Sequence, residues 1–428
     1  MSGEKKNRVC VIGLDGVPQG LLLGLAQQGI MPAMAKLIAS GQLHKMKASL
    51  PEISSVSWTN FMTGVNPGMH GIFGFTDLKE STYDLRFPNY LSVRKETFWD
   101  ILGQYNRKSI IINQPSTYPA RRINGALVSG FVAIDPNKSF YPLSHKATLD
   151  KMGYQIDIDT YVARQDHVFL WRELEKTFIG RRNAFHYFWE QEWNYFEFVV
   201  TGTDRLHHFL WNAYEDTQHQ YHQKFLDYYN KVDQLIDEIT TAFRQLTGSD
   251  DGLYLLSDHG FTGIEKELYL NAWLEQKGFL KYTKPAPEAL SDISPETKAF
   301  ALDPSRIHIN LRGKYPSGSV DEADRKTLKR EIGKALEELE YNGKKVIRKV
   351  FDADEIYDGP FAVKGPDLVV LSANGFDLKG SVQKKEIFVD TDLKGMHTWD
   401  DAFFWAKKNQ GDDLAITDCA KIIMENFL

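Results

Sequence analysis

The chain has 428 residues, of which 42% are hydrophobic and 25% charged, with a net charge of -6. That length suits one large domain or a core domain with a cap, and the composition excludes disorder as the starting expectation. The negative balance argues against a general nucleic-acid binder, which needs a basic face to offset phosphates, while leaving room for a local basic pocket around a small anion.

The first predicted element is a strand over Arg8–Leu14 (RVCVIGL). It follows a basic start but lacks the longer apolar core and the small-residue cleavage site of a signal peptide, and no stretch approaches a membrane span; a cytoplasmic location is the expectation. Cys10 lies inside this run and reads as a small core residue. The other cysteine, Cys419, is far away in sequence, so neither a disulfide framework nor a CxxC site follows. Asp15 comes directly after the strand. Pro51–Phe75 then brings four hydroxyls, Ser54, Ser55, Ser57 and Thr59, before a helical turn ending near Gly64. A hydroxyl at a helix start is well placed beside outward-pointing N–H groups that favour an anion, but on pattern alone Ser54 or Ser57 reads equally as an N-cap.

Further strands are predicted at Lys108–Ile112, Phe196–Val200, Leu253–Leu256 and Asp367–Leu371, apolar on both alternations as a doubly covered sheet requires. Helices are predicted over Phe225–Leu246 and around Leu328–Leu339, from apolar residues at three-four spacing. The irregular, aromatic segment 133–172 is expected to be a peripheral insertion contributing to a lid. A second insertion is expected over 262–350, with the proline-punctuated Lys284–Ser305 as a loop inside it. Strands alternating with helices point to a single domain over 1–428, an α/β fold in three layers (α/β/α) around a mainly parallel sheet, with a smaller cap or insertion.

Asp15, Asp204 and Asp258 each follow a predicted strand. In a parallel sheet the carboxyl ends of strands share one edge, so three like charges would gather there and repel unless divalent cations offset them. Asp204 and His208 stand four apart and share a helix face; Asp258–His259 offers two ligands from one turn; His397 supplies another imidazole late in the chain. One strand-end aspartate usually caps or turns the chain, but the joint recurrence with histidines at ligand spacing points to a metal site. Mixed carboxylate and imidazole donors suit zinc or manganese better than calcium.

In this order the blocks VIGLDG, PEISSVSW…TGVNPGMHGI, NQPSTYPARRINGALVSGF, TDRLHHF, SDHG and GMHTWDDAFFWA resemble the alkaline phosphatase superfamily, in its nucleotide pyrophosphatase/type I phosphodiesterase branch. The resemblance covers most of the chain. It implies two divalent metals, one held by Asp15, Ser54, Asp258 and His259 and the other by Asp204, His208 and His397. Ser54 takes the nucleophile position, usually threonine in this branch. The implied reaction is in-line attack by Ser54, a covalent phospho-enzyme, and its hydrolysis. The branch usually carries an asparagine shortly after HGI, where this chain has Phe75, so the phosphoryl oxygen needs another donor; the backbone N–H of Ser55 is a candidate. The oxidisable residue followed by Pro and Arg that marks sulfatases is absent. Ser55, Ser57, Trp58 and Arg205 are the candidate substrate contacts. Trp58, with Phe73, Phe75 and Trp399, reads either as a stacking surface or as core, and Arg205 as a phosphate partner or a salt bridge. His207 is expected to face solvent or to stand behind the ligands, and His70 to order the loop under the nucleophile. The implied substrate is a small phosphodiester or pyrophosphate, possibilities that include a nucleotide. A phosphomonoesterase, phosphonate hydrolase or phosphotransferase using the same residues is the alternative, and a non-catalytic binding protein of this fold the contrasting class.

Overall fold

The computed structural model describes residues 7–427 and divides into two compact units. The first comprises residues up to 65, 89–262 and 392 onward. Its centre is a nine-stranded sheet. In chain order the strands are β1 (Val9–Leu14), β2 (Gln42–Lys47), β3 (Ser109–Gln114), β4 (Gly125–Ser129), β5 (Phe140–Tyr141), β6 (Tyr195–Val200), β7 (Leu253–Leu256), β8 (Ala402–Ala406) and β9 (Leu414–Ala415). Across the sheet they run β9-β2-β8-β7-β1-β6-β3-β4-β5. Only β8 and β5 run against the others. Strand β1 thus lies between β6 and β7, with Leu14 opposite Val200 and Gly13 opposite Leu256.

Both faces are covered, which explains why the strand runs are apolar at every position. Cys10, Ile12 and Leu14 of β1, with Phe196, Phe198 and Val200 of β6, belong to one large core shared with Leu170, Leu206 and Ile236 from the helices His167–Trp189, Gly202–Glu215 and His222–Thr247. The alternate residues meet other helices. Gly13 lies against Trp58 of the helix Ser54–Thr63, and Tyr195 packs edge-on against Phe98 at 5.0 Å. The result is the expected three-layer α/β/α sandwich around a mainly parallel sheet. Among the described residues no single helix is long and apolar enough to cross a membrane.

The second unit comprises residues 66–88 and 263–391 and has its own core, which includes Leu268, Trp273, Ile307, Ile332 and Val370. Most of the stretch expected as the insertion 262–350 lies in it. Here the structure corrects one expectation. The Asp367–Leu371 run does form a strand, Leu368–Ser372, but that strand pairs antiparallel with Arg306–Ile309 and Ile347–Asp352 in a separate four-stranded sheet. An apolar run covered on both faces looks the same whichever sheet it joins. The segment 133–172, within the first unit, is less irregular than expected: it holds the helices His145–Lys151 and Thr160–Gln165 and the start of His167–Trp189. Asp159 and Asp166 cap the latter two, each accepting two backbone N–H groups.

Candidate active site

Strand order brings the three carboxylates together. Asp15 follows β1, Asp258 follows β7 after Ser257, and Asp204 occupies the first turn of the helix that starts just after β6. The turns are tied to one another: the Thr203 hydroxyl donates to the Asp15 carbonyl at 2.6 Å, and the Gly16 N–H to Asp258 Oδ1 at 3.1 Å. Gly16 has φ +68°, a conformation that favours glycine and turns the chain sharply beside Asp15.

Asp15, Asp258 and His259 bring ligand atoms within 4.8 Å of one another, and so do Asp204, His259 and His397. His259 Nε2 stands 3.3 Å from Asp258 Oδ2 and 3.7 Å from Asp15 Oδ1. Around Asp204 Oδ1 lie His397 Nε2 at 3.3 Å and His208 Nε2 at 3.4 Å. Ser54 Oγ lies 3.1 Å from His259 Nε2 and 3.4 Å from Asp15 Oδ1. All seven residues expected to meet therefore converge.

The imidazoles are oriented alike. Nδ1–H of His259 donates to the Gly260 carbonyl at 3.0 Å, that of His397 to Glu52 at 2.9 Å and that of His208 to Gly395 at 3.2 Å. A carbonyl can only accept, so in the neutral ring the proton sits on Nδ1 and Nε2 is left with a lone pair for the centre. His208 Nε2 and His397 Nε2 face each other at 3.0 Å, a pairing that two lone pairs do not sustain without a shared proton or cation. Asp204 Oδ1 and Asp258 Oδ2, aimed at the same place, are buried with no hydrogen-bond partner among the described residues. Orphaned buried oxygens beside imidazole lone pairs fit a pair of divalent cations, and histidines braced through Nδ1 are what such ligation requires.

The electrostatics agree. Burial, then the charges of Asp258 and Asp204, push the Asp15 carboxyl well above its ordinary range. Burial raises Asp258 to about 7. Burial also works to raise Asp204, but the His208 and His397 imidazoles and the Arg205 guanidinium outweigh it and hold that carboxyl well below the usual range. Burial, then His397, depresses His259. For His397 itself, burial lowers the imidazole, yet the contact with Asp204 prevails and raises it. Without cations this centre is a cluster of groups that cannot all take their ordinary charge.

Ser54 is the first residue of its helix, and the N-cap is Ile53, which makes no side-chain cap; Gly64 ends the helix at φ +67°. The Ser54 hydroxyl therefore faces the cluster rather than capping. Ser55 follows, with its buried Oγ lacking a hydrogen-bond partner among the described residues. Ser57 Oγ is buried against Ser49 Oγ at 2.8 Å. Trp58 is fully buried and its indole N–H donates to Asp15 Oδ2 at 3.0 Å, so it orients that carboxylate and has no open ring face. Arg205 donates to Asp204 Oδ2 at 2.8 Å and to Asp157 Oδ2 at 2.7 Å, with its guanidinium 4.3 Å from the Phe131 ring centre. His207 is buried, between the Gly16 carbonyl at 2.8 Å and the Tyr229 hydroxyl at 2.6 Å. Trp399, half-buried, donates to the Ala48 carbonyl. In the second unit, Phe73 is buried beside Tyr357, Phe75 is 37% exposed and His70 accepts the Ile72 N–H. Asp157, Tyr229 and Glu52 carried no signal of a role in the sequence, because their contacts arise from segments remote in the chain.

Residues 9–400 match the family model described as type I phosphodiesterase / nucleotide pyrophosphatase. Among solved structures, the complex of phosphonoacetate hydrolase from Sinorhizobium meliloti 1021 with phosphonoacetate is similar at a TM-score of 0.66 and 14% identity, over 99% of this chain and 96% of that chain. Its complex with phosphonoformate gives 0.65 and 13% over the same shares. Murine ectonucleotide pyrophosphatase/phosphodiesterase 5, in complex with AMP, gives 0.54 and 12%, over 98% of this chain and 94% of that one. At these identities the likeness is of fold. No curated protein matches the chain in sequence.

Proposed function

The chain belongs to the type I phosphodiesterase/nucleotide pyrophosphatase family of phosphoester hydrolases, within the alkaline phosphatase superfamily, and from that membership we propose a two-metal hydrolase of phosphodiester or pyrophosphate bonds with Ser54 as its nucleophile. The observation that carries this reading is the convergence of three Nδ1-braced histidines on buried, orphaned carboxylate oxygens beside the Ser54 hydroxyl. Asp15, Asp258 and His259, with Ser54, would hold one cation and Asp204, His208 and His397 the other; bound zinc or manganese would supply positive charge against the attacking and leaving oxygens.

Ser54 Oγ attacks phosphorus as its proton passes toward Asp15 Oδ1, 3.4 Å away. A bond from Oγ to phosphorus forms while the bond to the leaving oxygen breaks, and that oxygen keeps the electron pair and takes up a proton. Water then forms the new oxygen–phosphorus bond, the bond to Oγ breaks, and Ser54 regains its proton. The start of the ten-residue helix Ser54–Thr63 favours the phosphoryl anion, with the Ser55 N–H as a donor. Trp58 and Arg205 hold the far oxygens of Asp15 and Asp204, leaving the near ones for the centre.

Ser54→Ala tests the assignment. Diester hydrolysis is expected to fall by about three orders of magnitude or more while cation binding persists; undiminished turnover refutes the nucleophile. A substrate panel at matched metal loading should include a phosphomonoester and, given the likeness to a phosphonoacetate hydrolase, phosphonoacetate. Faster turnover of either than of any diester overturns the diester reading.

A further inference from the structure

A cleft of about 1060 Å³ opens beside the proposed centre, with Arg205 and His208 in its lining. That is room for a drug-sized organic group. Ser54 does not line it but His208 does, so the cleft reaches one of the three donors proposed for the second cation. In-line displacement sends the leaving group away from the nucleophile, and a cleft that meets His208 but not Ser54 has the room to receive it.

The chemistry of the walls is unusual for a site that takes phosphates. Three basic side chains line the cleft, and each is already matched by a carboxylate. Lys146 reaches Asp150 at 2.6 Å. Arg164 grips Asp392 with two nitrogens, Nε at 2.8 Å. Arg205 is committed to Asp157 and Asp204. Asp159, also in the lining, adds a further negative charge; its carboxylate accepts the N–H groups of Tyr161 and Val162, both at 3.1 Å. The rest of the lining includes Phe131, Phe140, Ile156, Ile158, Phe209 and Leu393. Val132 and Tyr161, also in the lining, are 59% and 74% exposed and add apolar surface. Beyond the proposed metal centre itself, a polyphosphate entering here meets, among the described residues of the lining, only lysine and arginine side chains already paired with carboxylates, and to recruit one it must break an existing ion pair.

We propose that this cleft selects the leaving group by charge, accepting a neutral or cationic group with an apolar body and rejecting one that carries further phosphates or carboxylates. The proposal rests on the phosphoester reading above and narrows it, away from nucleoside polyphosphates.

The test uses aryl methyl phosphodiesters that share one phosphoryl part and differ on the ring, which is plain, carries a trimethylammoniomethyl group or carries a carboxymethyl group. With the metal-loaded full chain, kcat/KM for the plain and cationic esters should exceed that for the anionic ester by about tenfold or more, the cost of bringing like charges close. Asp150→Asn, which releases Lys146, should raise the anionic ester selectively and narrow that gap. Binding of the three free phenols, followed by calorimetry, reads the same order without turnover. An anionic ester or phenol favoured over the others overturns the cleft assignment and leaves the hydrolase reading standing. Failure to hydrolyse any ester, with the phenols still binding in the stated order, sinks the diester reading and keeps the cleft's charge selection.

Discussion

Replacing Asp258 by asparagine is expected to stabilise the cation-free protein while weakening its response to cations. The introduced amide keeps an acceptor for the Gly16 N–H, and its nitrogen can donate to the His259 Nε2 that lies 3.3 Å from Asp258 Oδ2. The change removes one ionised group from a cluster that burial and neighbouring charge already strain. The folded Asp258 carboxyl sits at about 7 against 3.8 unperturbed, which corresponds to about 4 kcal/mol of destabilisation once it is ionised. The folded state holds this proton more tightly than the unfolded one, so wild-type stability falls as pH rises from about 4 through about 7. The asparagine variant lacks that loss. In chelator at pH 8 it should therefore melt several degrees above wild type, with a smaller margin at pH 5. Cation at a hundredfold over its dissociation constant adds about 2.7 kcal/mol per site to wild type, and the variant should forfeit the share of the Asp15–Asp258–His259 site. Scanning calorimetry with and without cation reads both effects. A variant no more stable than wild type in chelator, or one with the full cation response, refutes the reasoning.

Two other substitutions extend the argument. Trp58→Phe removes the indole donor to Asp15 and leaves ring-sized space beneath Gly13, at a cost of about 2 kcal/mol for the bond and somewhat more for the void. Cation affinity, measured by chelator competition on the folded variant, should drop by about 10–100-fold, and an unchanged affinity contradicts a positioning role for Trp58. Glu197, buried in β6 and accepting the Tyr195 hydroxyl at 2.7 Å, is raised by burial from 4.5 to about 8. Its ionisation costs stability as pH climbs between those values, so Glu197→Gln should flatten the decline from pH 5 to 8 by on the order of 3 kcal/mol in chemical denaturation; an equal slope in both proteins rules the carboxyl out as its source.

The central parallel strands and the helix His222–Thr247 were legible because each repeats a simple period, and strand ends then located Asp15, Asp204 and Asp258. The convergence of His397 followed from ligand chemistry and the family resemblance. The partner of each side chain was not legible. Trp58 read as a stacking ring or as core; the structure buries it under β1 with its indole N–H on Asp15, a contact no local pattern announces. Arg205 read as a phosphate partner or a salt bridge; the structure gives it ion pairs with Asp157 and Asp204, the first from a segment without strong periodicity. The strand Leu368–Ser372 carries the same apolar pattern as the central ones, and nothing local distinguishes the sheet it joins.

The strand order has a consequence for synthesis. Strand β1 emerges first yet lies in the middle of the sheet, and β8, which separates β2 from β7, emerges almost last, close behind His397. At about 5–20 residues per second the nascent chain waits tens of seconds before the sheet can close. Until then β1 and β2 carry unpaired backbone edges, and loss of the segment from His397 through β8 removes both a proposed donor and the strand wedged between β2 and β7.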